Sequence, residues 1–159
     1  MNKPGSLRAH LVAALQELAR DPDRLLVFID KGNVVSTAAP GASFEYRYNL
    51  TLIITDFGGH PDAVMVPLLD WVRVHQNELL ANDRMRNQIN FEAELLANDK
   101  VDLEITLPLT ERVGVHRQED GRIDVEHYPE PEIAYSLQPR RWMLYIGGEL
   151  TAEWDAPGG

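Results

Sequence analysis

The sequence contains no cysteine in its 159 residues, which excludes disulfide bonds, thiol catalysis and cysteine-ligated zinc. It also lacks any apolar run that approaches the roughly 20 residues needed to cross a membrane. The N-terminal segment MNKPGSLRAH has no apolar core of the kind found in signal peptides. We therefore expect a protein that is made inside the cell and contacts no membrane.

Positive charge is scarce as well. Lysine and arginine together number 15 against 25 aspartate and glutamate residues, so the formal net charge is −10. No stretch is strongly basic, whereas sequence-specific binding to DNA usually needs a basic surface. We expect no sequence-specific nucleic-acid partner. The acidity is still compatible with DNA that passes close to the protein, because like charges discourage adhesion.

Patterns that bind metals or cofactors are also missing. The five histidines show neither HxH nor HExxH spacing, so we expect no metal and no cofactor. The best enzyme candidate is the trio Asp56, His60 and Asp62, which flanks a Gly-Gly turn at the end of a predicted strand. Aspartates before such turns and in first helical turns are ordinary capping residues. We therefore expect a protein that is not an enzyme.

Residues 43–80 carry the strongest secondary-structure signal. Apolar and aromatic residues alternate with polar ones between residues 44 and 54, which predicts a strand with one buried face. After Pro61, apolar residues recur at helical spacing and place Trp71 on the buried side of a long helix. Pro67 is expected to kink this helix or to shorten its regular part.

The remaining segments predict a first helix and further strands. An apolar stripe begins after Ser6, which is the expected N-cap of the first helix. The short apolar run at residues 25–29 predicts a strand buried on both faces, and residues 30–33 predict a turn. Alternating patterns and turn residues then predict three hairpins: 89–95 with 101–115, 113–117 with 122–127, and a third within 141–155.

Together these segments predict an α+β fold, in which a mostly antiparallel sheet is packed by two main helices and followed by a C-terminal β-hairpin. We expect a core domain over residues 1–128, a proline-rich connector over 129–140 and a hairpin extension over 141–159. Trp142 and Trp154 in this hairpin either complete the core of their own subunit or anchor a partner. The sequence does not decide between these two alternatives.

The order of these segments resembles a known protein family. The resemblance is carried by the stretches SLRAHLVAAL, LLVFIDKGNVVST, SFEYRYNLTLIITDF, MVPLLDWVRVHQNELL, DLEITLPLTERV and MLYIGGELTAEWD. It covers most of the chain and is weakest at residues 81–87 and 118–139. In this order and spacing, the stretches are similar to the phage tail completion protein R family of contractile-tailed temperate phages and prophages.

The resemblance implies a structural role. Proteins of this kind cap the head-proximal end of the finished tail tube and sheath and prepare it to join the head. It further implies a homo-oligomeric ring, usually a hexamer, with the tail tube, sheath and head-connector proteins as partners. The implied location is the virion tail, which is assembled in the cytoplasm of the bacterial host. The alternative is a small non-enzymatic binding or regulatory α/β protein.

Candidate contacts with another subunit or a partner come from three places. Glu45 and Arg47 lie on the polar side of the central strand and either pair with a neighbour or form a solvated face. Glu111 and Arg112 end a long strand, where exposed charge is the default and a ring contact is the alternative. The C-terminal hairpin contributes Trp142, Tyr145 and Trp154.

Overall fold

The computed structural model describes residues 1–38, 40–131 and 139–156. The helices are α1 (Lys3–Ala14), α2 (Gln16–Arg20), α3 (Asp62–His75) and α4 (Glu78–Ala81), with short 3₁₀ turns at Pro22–Arg24 and Asp83–Met85. The strands are β1 (Leu25–Ser36), β2 (Phe44–Phe57), β3 (Asn90–Leu95), β4 (Val101–Arg117), β5 (Ile123–His127), β6 (Arg141–Ile146) and β7 (Glu149–Asp155). Among the described residues, no helix is both long and apolar enough to cross a membrane.

Strands β1 to β5 form one antiparallel sheet with the order β1-β2-β4-β3, and β5 also pairs with β4. The 17-residue strand β4 is the longest element of the fold, and β2 lies along one of its edges. Its other edge pairs with β3 at residues 101–106 and with β5 at residues 113–117. The predicted α+β class and the first two predicted hairpins are therefore confirmed.

Helices α1 and α3 cover one face of this sheet, which we call the helix side. The sheet contributes alternate residues to the core there: Tyr48, Leu50, Leu52, Ile54, Val101, Leu103, Ile105, Leu107 and Leu109. The helices contribute residues at helical spacing: Leu7, Leu11, Ala14, Val64, Leu68, Trp71 and Val72. The buried position predicted for Trp71 is confirmed, since only 1% of its surface is exposed.

Between β3 and β5, residues 107–112 of β4 have no strand partner along that edge within the described residues. The Thr110 N–H donates there to Gln76 Oε1 at 3.1 Å, and the Thr110 carbonyl accepts from Lys3 Nζ at 2.6 Å. The backbone nitrogen of Pro108, two residues before Thr110, also points away from β2. Its missing amide hydrogen therefore removes no ladder hydrogen bond with β2.

Strand β1 differs from its prediction in length and burial. It continues through residues 30–33, so the predicted turn is wrong, and only a bulge between Ile29 and Lys31 interrupts its pairing with β2. Leu26 and Phe28 are 50% and 44% exposed instead of buried, because they point to the sheet face that the helices do not cover. Pairing along the long strand β2 outweighs the local turn propensity, because tertiary context decides strand formation.

The first helix begins earlier than predicted. Pro4 occupies its first turn, where a missing amide hydrogen removes no helical bond. Ser6 is therefore inside α1 and is not its N-cap, and its hydroxyl accepts a 3.1 Å hydrogen bond from Trp71 Nε1. Helix α1 ends before Leu15, whereas α3 runs from Asp62 to His75 with Pro67 inside it.

The C-terminal hairpin forms a separate two-stranded sheet that packs on α1 and α3. Trp142 and Trp154 lie opposite each other on its two strands, so the third predicted hairpin is confirmed. Gly147 and Gly148 both have positive φ, which suits a tight two-residue turn. Residues 132–138 of the predicted connector lie outside the described residues, and the division into core, connector and extension stays a prediction.

Candidate functional site

The sheet face that points away from α1 and α3, the outer face, carries its charges in two groups. The pairing registers of β1, β2, β4 and β3 place the outward side chains in rows across the sheet. The first group, the cationic strip, consists of Lys31, Arg47 and Arg112. The second group, the acidic block, consists of Glu92, Glu94, Asp102 and Glu104.

The cationic strip crosses three strands. Arg47 Nε lies 2.6 Å from Glu45 Oε1, and Arg112 stands directly opposite Glu45 in the register of β2 with β4. Lys31 lies opposite Asn49 on β2. The Arg47–Glu45 pair is exposed to solvent and contributes little to stability. Lys31 and Arg112 form no ion pair within the described part of the chain, so their charges remain available to a partner.

Part of the strip borders an open groove of about 670 Å³. Its lining includes outer-face residues, the segment that follows α3 and the local edge of β4: Lys31, Asn33, Glu45, Arg47, Asn49, Glu78, Met85, Pro108 and Thr110. Small-molecule sites are typically apolar and enclosed, whereas this lining is mostly polar and contains both signs of charge. The groove therefore suits a polar macromolecular partner better than a small ligand.

In the acidic block, carboxylates stand directly opposite one another. Glu92 faces Glu104 and Glu94 faces Asp102 in the register of β3 with β4. Like charges in such positions destabilise a sheet. Asp102 Oδ1 accepts a 2.7 Å hydrogen bond from the Asp56 N–H, whereas the three glutamates form no ion pair among the residues that the structure describes. The block is therefore uncompensated negative charge at the β3 edge of the sheet.

The predicted contact residues divide between the surface and the interior. Those that reach the surface are Glu45, Arg47 and Arg112 on the outer face and Tyr145 on the hairpin. Glu111 and Trp154 are buried in their own subunit, with 5% and 4% of their surfaces exposed, and Trp142 is half-buried against the core. The side chains of Glu111 and Trp154 therefore face the interior of their own subunit.

Trp154 fastens the hairpin to the helix layer. Its Nε1 donates a 2.8 Å hydrogen bond to Asp70 Oδ2 on α3, and its ring makes an edge contact with the His10 ring on α1. His10 Nε2 lies 2.9 Å from the Pro67 carbonyl oxygen. Burial is the main cause that lowers the pKa of His10, so the neutral imidazole is favoured there. Of the two alternatives left by the sequence, Trp154 completes the core of its own subunit.

Glu111 is the centre of a buried polar cluster. Its Oε1 accepts hydrogen bonds from the backbone N–H groups of Asn2 at 2.6 Å and Lys3 at 3.3 Å, and its Oε2 accepts from the Tyr48 hydroxyl at 2.6 Å. Burial, followed by the adjacent carboxylate, raises the pKa of Tyr48. Glu111 is buried, although exposed charge is the default expectation at the end of a strand. Residue parity indicates the burial, because Glu111 continues the alternation of the buried residues of β4.

Lys3 is the second charged member of this cluster. Its Nζ donates to Gln76 Oε1 at 2.8 Å, to the Thr110 carbonyl at 2.6 Å and to Glu130 Oε1 at 2.9 Å. Burial lowers the pKa of Lys3, while the hydrogen bond to Glu130 acts in the opposite direction. These contacts tie the N-terminal end of α1 to the residue after α3 and to the unpaired edge of β4. The cluster therefore serves the structure of the subunit.

The enzyme candidate Asp56, His60 and Asp62 forms turn contacts. Asp56 Oδ1 accepts from Asn98 Nδ2 at 3.3 Å, and Asp56 Oδ2 lies 3.5 Å from Lys100 Nζ. The Asn98 hydrogen bond is the main cause that lowers the pKa of Asp56, which makes this carboxylate a weak base at neutral pH. His60 Nδ1 accepts from the Asp62 N–H at 3.2 Å. Within the described residues, no group of three or more histidine or acidic side chains could hold a metal ion.

Comparison with known proteins shows to which family this chain belongs. The sequence profile of the P2 phage tail completion protein R (GpR) matches residues 1–131. The tail completion protein R of Escherichia phage P2 is 39% identical over 156 residues, which cover 98% of this chain and 99% of the phage P2 protein. The chain belongs to the P2 phage tail completion protein R family. No solved structure matches the chain significantly.

As a phage tail completion protein, the chain has its place in the virion tail and acts together with other tail and head proteins. The matched range 1–131 spans every element from α1 to β5. It therefore contains the cationic strip, the acidic block and the buried polar cluster. The similarity to the phage P2 protein extends further and includes the hairpin that packs on α1 and α3.

Proposed function

We propose that the chain forms a homo-oligomeric ring, a hexamer, which caps the head-proximal end of a contractile tail and prepares it to join the head. The observation that carries this proposal is the 39% identity to the tail completion protein R of Escherichia phage P2 over 98% of the chain. The proposed partners are the tail tube, sheath and head-connector proteins, and assembly takes place in the cytoplasm of the bacterial host. The proposed role is structural and not enzymatic.

The charge of the subunit supports a ring through which DNA passes. A formal net charge of −10 repels the phosphate backbone, so DNA in the channel is not gripped. In this proposal the protein has no sequence-specific nucleic-acid partner and no membrane partner. Its specific contacts are with proteins.

We further propose that Glu45, Arg47, Arg112 and Tyr145 contact tail components. The three outer-face residues lie at or beside the groove, and Tyr145 is 57% exposed on the hairpin. Exposed tyrosine and arginine are the residue types that contribute most to protein interfaces. Charge at the rim of such an interface steers the approach of the partner and sets its orientation.

Deletion of the gene tests the function. We expect phage particles without this protein to have tails of abnormal length or tails that do not join heads, while filled heads form normally. Electron microscopy of induced cultures measures both outcomes, and expression of the intact chain from a plasmid restores infectious particles. Normal infectious particles in the deletion mutant would show that the protein does not complete tails.

The contact residues are tested in the same complementation assay. A plasmid copy with Arg47→Glu and Arg112→Glu is expected to give fewer infectious particles than the wild-type copy. Arg20→Glu, an exposed substitution on α2 away from the outer face, is the matched control. Circular dichroism of the purified variants confirms that each is folded. Full complementation by the double variant would remove Arg47 and Arg112 from the proposed interface.

A further inference from the structure

In the described part of the chain, the outward sides of β1, β3 and β5 have no strand partner. The hydrogen-bond pattern shows which residues of β3 and β1 have backbone groups that point outward. At the β3 edge, the Leu96 N–H donates to the Lys100 carbonyl at 2.9 Å. Backbone groups in an antiparallel strand alternate in direction, so those of Phe91, Ala93 and Leu95 point away from β4. Within the described residues, these backbone groups have no partner.

At the β1 edge, the Leu25 carbonyl accepts from the Arg8 side chain and not from β2. The Thr55 carbonyl on β2 turns toward this edge and accepts from Arg24 Nε at 3.0 Å. Both contacts give the same alternation, in which the backbone groups of Val27 and Ile29 point away from β2. In the part of the chain that the structure describes, nothing pairs with them.

The outward backbone groups of β3 and those of β1 are oriented so that the two strands could pair in antiparallel fashion. Because the path β1-β2-β4-β3 is antiparallel at every step, β1 and β3 run in opposite directions. Both sets also belong to residues whose side chains point to the helix side, since Val27 is in register with Leu52 and Phe91 with Ile105. A second copy placed beside the first can therefore pair its β1 with β3 in antiparallel fashion, with both helix layers on the same side.

We propose that β3 of one subunit pairs with β1 of a second copy of this chain, so that the sheet continues from subunit to subunit. This inference rests on the proposed ring, for which it names the contact. The contact joins two different surfaces and is therefore heterologous, which is the type of contact that closes into rings. Pairing of edge strands is a common way in which exposed sheets associate.

Charge favours pairing of β3 with β1 over pairing of β3 with itself. Two copies of β3 would bring Glu92 and Glu94 of both acidic blocks together, and such juxtaposition of like charges is unfavourable. β1 instead carries one charge of each sign with no ion pair among the described residues, Asp30 at the bulge and Lys31 at the end of the cationic strip. Pairing of β3 with β1 therefore places the two glutamates beside a strand that includes a lysine, and not beside two further glutamates.

The exposed apolar side chains of β3 also favour pairing of β3 with β1. Phe91 and Leu95 are 64% and 86% exposed although their side chains are on the helix side of the sheet, because the helices do not reach β3. Large apolar side chains on an unpaired edge strand promote association with another chain. A neighbouring β1 presents Val27 and Ile29 on the same side, so its pairing with β3 covers these apolar side chains.

Cysteine cross-linking of the full-length chain tests the proposal, because the natural sequence contains no cysteine. Hydrogen-bonded antiparallel partners have Cα atoms about 5.5 Å apart, which a disulfide can bridge. We expect a mixture of the Ala93→Cys and Val27→Cys variants to form disulfide-linked dimers on mild oxidation. We expect neither variant alone to do so, and Ile29→Cys replaces Val27→Cys if the latter is unfolded by circular dichroism.

The control partner is Glu149→Cys on the hairpin, which is exposed and lies on neither edge. Dimers of Ala93→Cys alone at the yield of the mixture would replace the proposal with β3–β3 pairing. Absence of cross-links in the mixture with folded variants would overturn it. Neither result contradicts the proposed tail function if the plasmid-borne wild-type chain still completes tails. The two proposals can therefore be refuted independently.

Charge reversal provides a second measurement. The Glu92→Lys and Glu94→Lys double variant is expected to raise the dissociation constant of the oligomer about tenfold or more in sedimentation velocity. Adding Lys31→Glu to this variant is expected to recover part of the loss. An unchanged dissociation constant for the double variant would overturn the proposed contact.

Discussion

The Tyr48 hydroxyl donates a 2.6 Å hydrogen bond to Glu111 Oε2, and both side chains are buried. The other carboxylate oxygen accepts from the backbone amides of Asn2 and Lys3. One carboxylate thus joins β2 and β4 to the N-terminal end of α1. A buried charge is tolerated only when hydrogen-bond donors replace its water shell, and here the fold provides three of them.

Loss of this carboxylate is expected to destabilise the subunit. Glu111→Ala leaves the Tyr48 hydroxyl and two backbone amides without their acceptor, so we expect the free energy of unfolding to fall by about 3 kcal/mol. Tyr48→Phe removes one donor and is expected to cost about 1–2 kcal/mol. Urea denaturation measures both, with Glu126→Ala on β5 as the exposed control. If the two costs simply add in the double variant, the residues do not interact as described.

The hairpin is expected to stabilise the subunit through Trp154. Trp154→Ala empties a buried aromatic site and removes the bond to Asp70, so we expect a loss of about 3–5 kcal/mol in the free energy of unfolding. Tyr145→Ala, in the same hairpin but exposed, is the matched control and should change stability by no more than about 0.5 kcal/mol. Equal urea midpoints for the two variants would contradict docking of the hairpin on its own helices.

The central helix is tested at Trp71. Trp71→Ala is expected to lower the free energy of unfolding by about 3–5 kcal/mol, because the site lies in the core between α1 and the sheet. Ser6→Ala removes only the acceptor of the Trp71 Nε1 hydrogen bond and should cost about 1 kcal/mol. Leu69→Ala on the exposed side of α3 serves as control. A urea midpoint close to wild type for Trp71→Ala would mean that the helix faces the other way.

Two half-buried histidines, His10 and His75, are expected to make the stability of the fold depend on pH. Burial is the main cause that lowers the pKa of both His10 and His75 from the ordinary 6.5. As the pH falls below 6.5, the unfolded chain therefore binds protons that the folded chain does not, and stability decreases until the folded-state pKa is reached. We expect the urea midpoint to decrease between about pH 7 and about pH 5.

The double variant His10→Gln and His75→Gln is expected to show a smaller decrease in the urea midpoint over this range. His60→Gln is the control, since His60 lies on an exposed turn. A double variant with the pH dependence of the wild-type chain would assign the effect to other groups.

The local pattern of apolar and polar residues in the sequence was sufficient to predict most of the architecture. Alternation in β2 and β4 and turn glycines in the hairpins predicted which residues pair and which face is buried, because side-chain direction in a strand depends only on residue parity. Helical spacing predicted that Trp71 faces the core, because apolar residues three and four positions apart lie on the same face of a helix. Outer-face positions of Glu45 and Arg47 followed directly from this parity.

Tertiary structure decided the features that depend on what lies beside an element. Residues 30–33 form strand and not turn because β2 is long enough to pair with them. Glu111 is buried because the gap between β3 and β5 admits the end of α1, which supplies backbone donors from 109 and 108 residues away in the chain. Trp154 is buried because α1 and α3 together form a surface on which the hairpin packs. Periodicity determines the direction of a side chain, but its environment is set by contacts between segments that are distant in sequence.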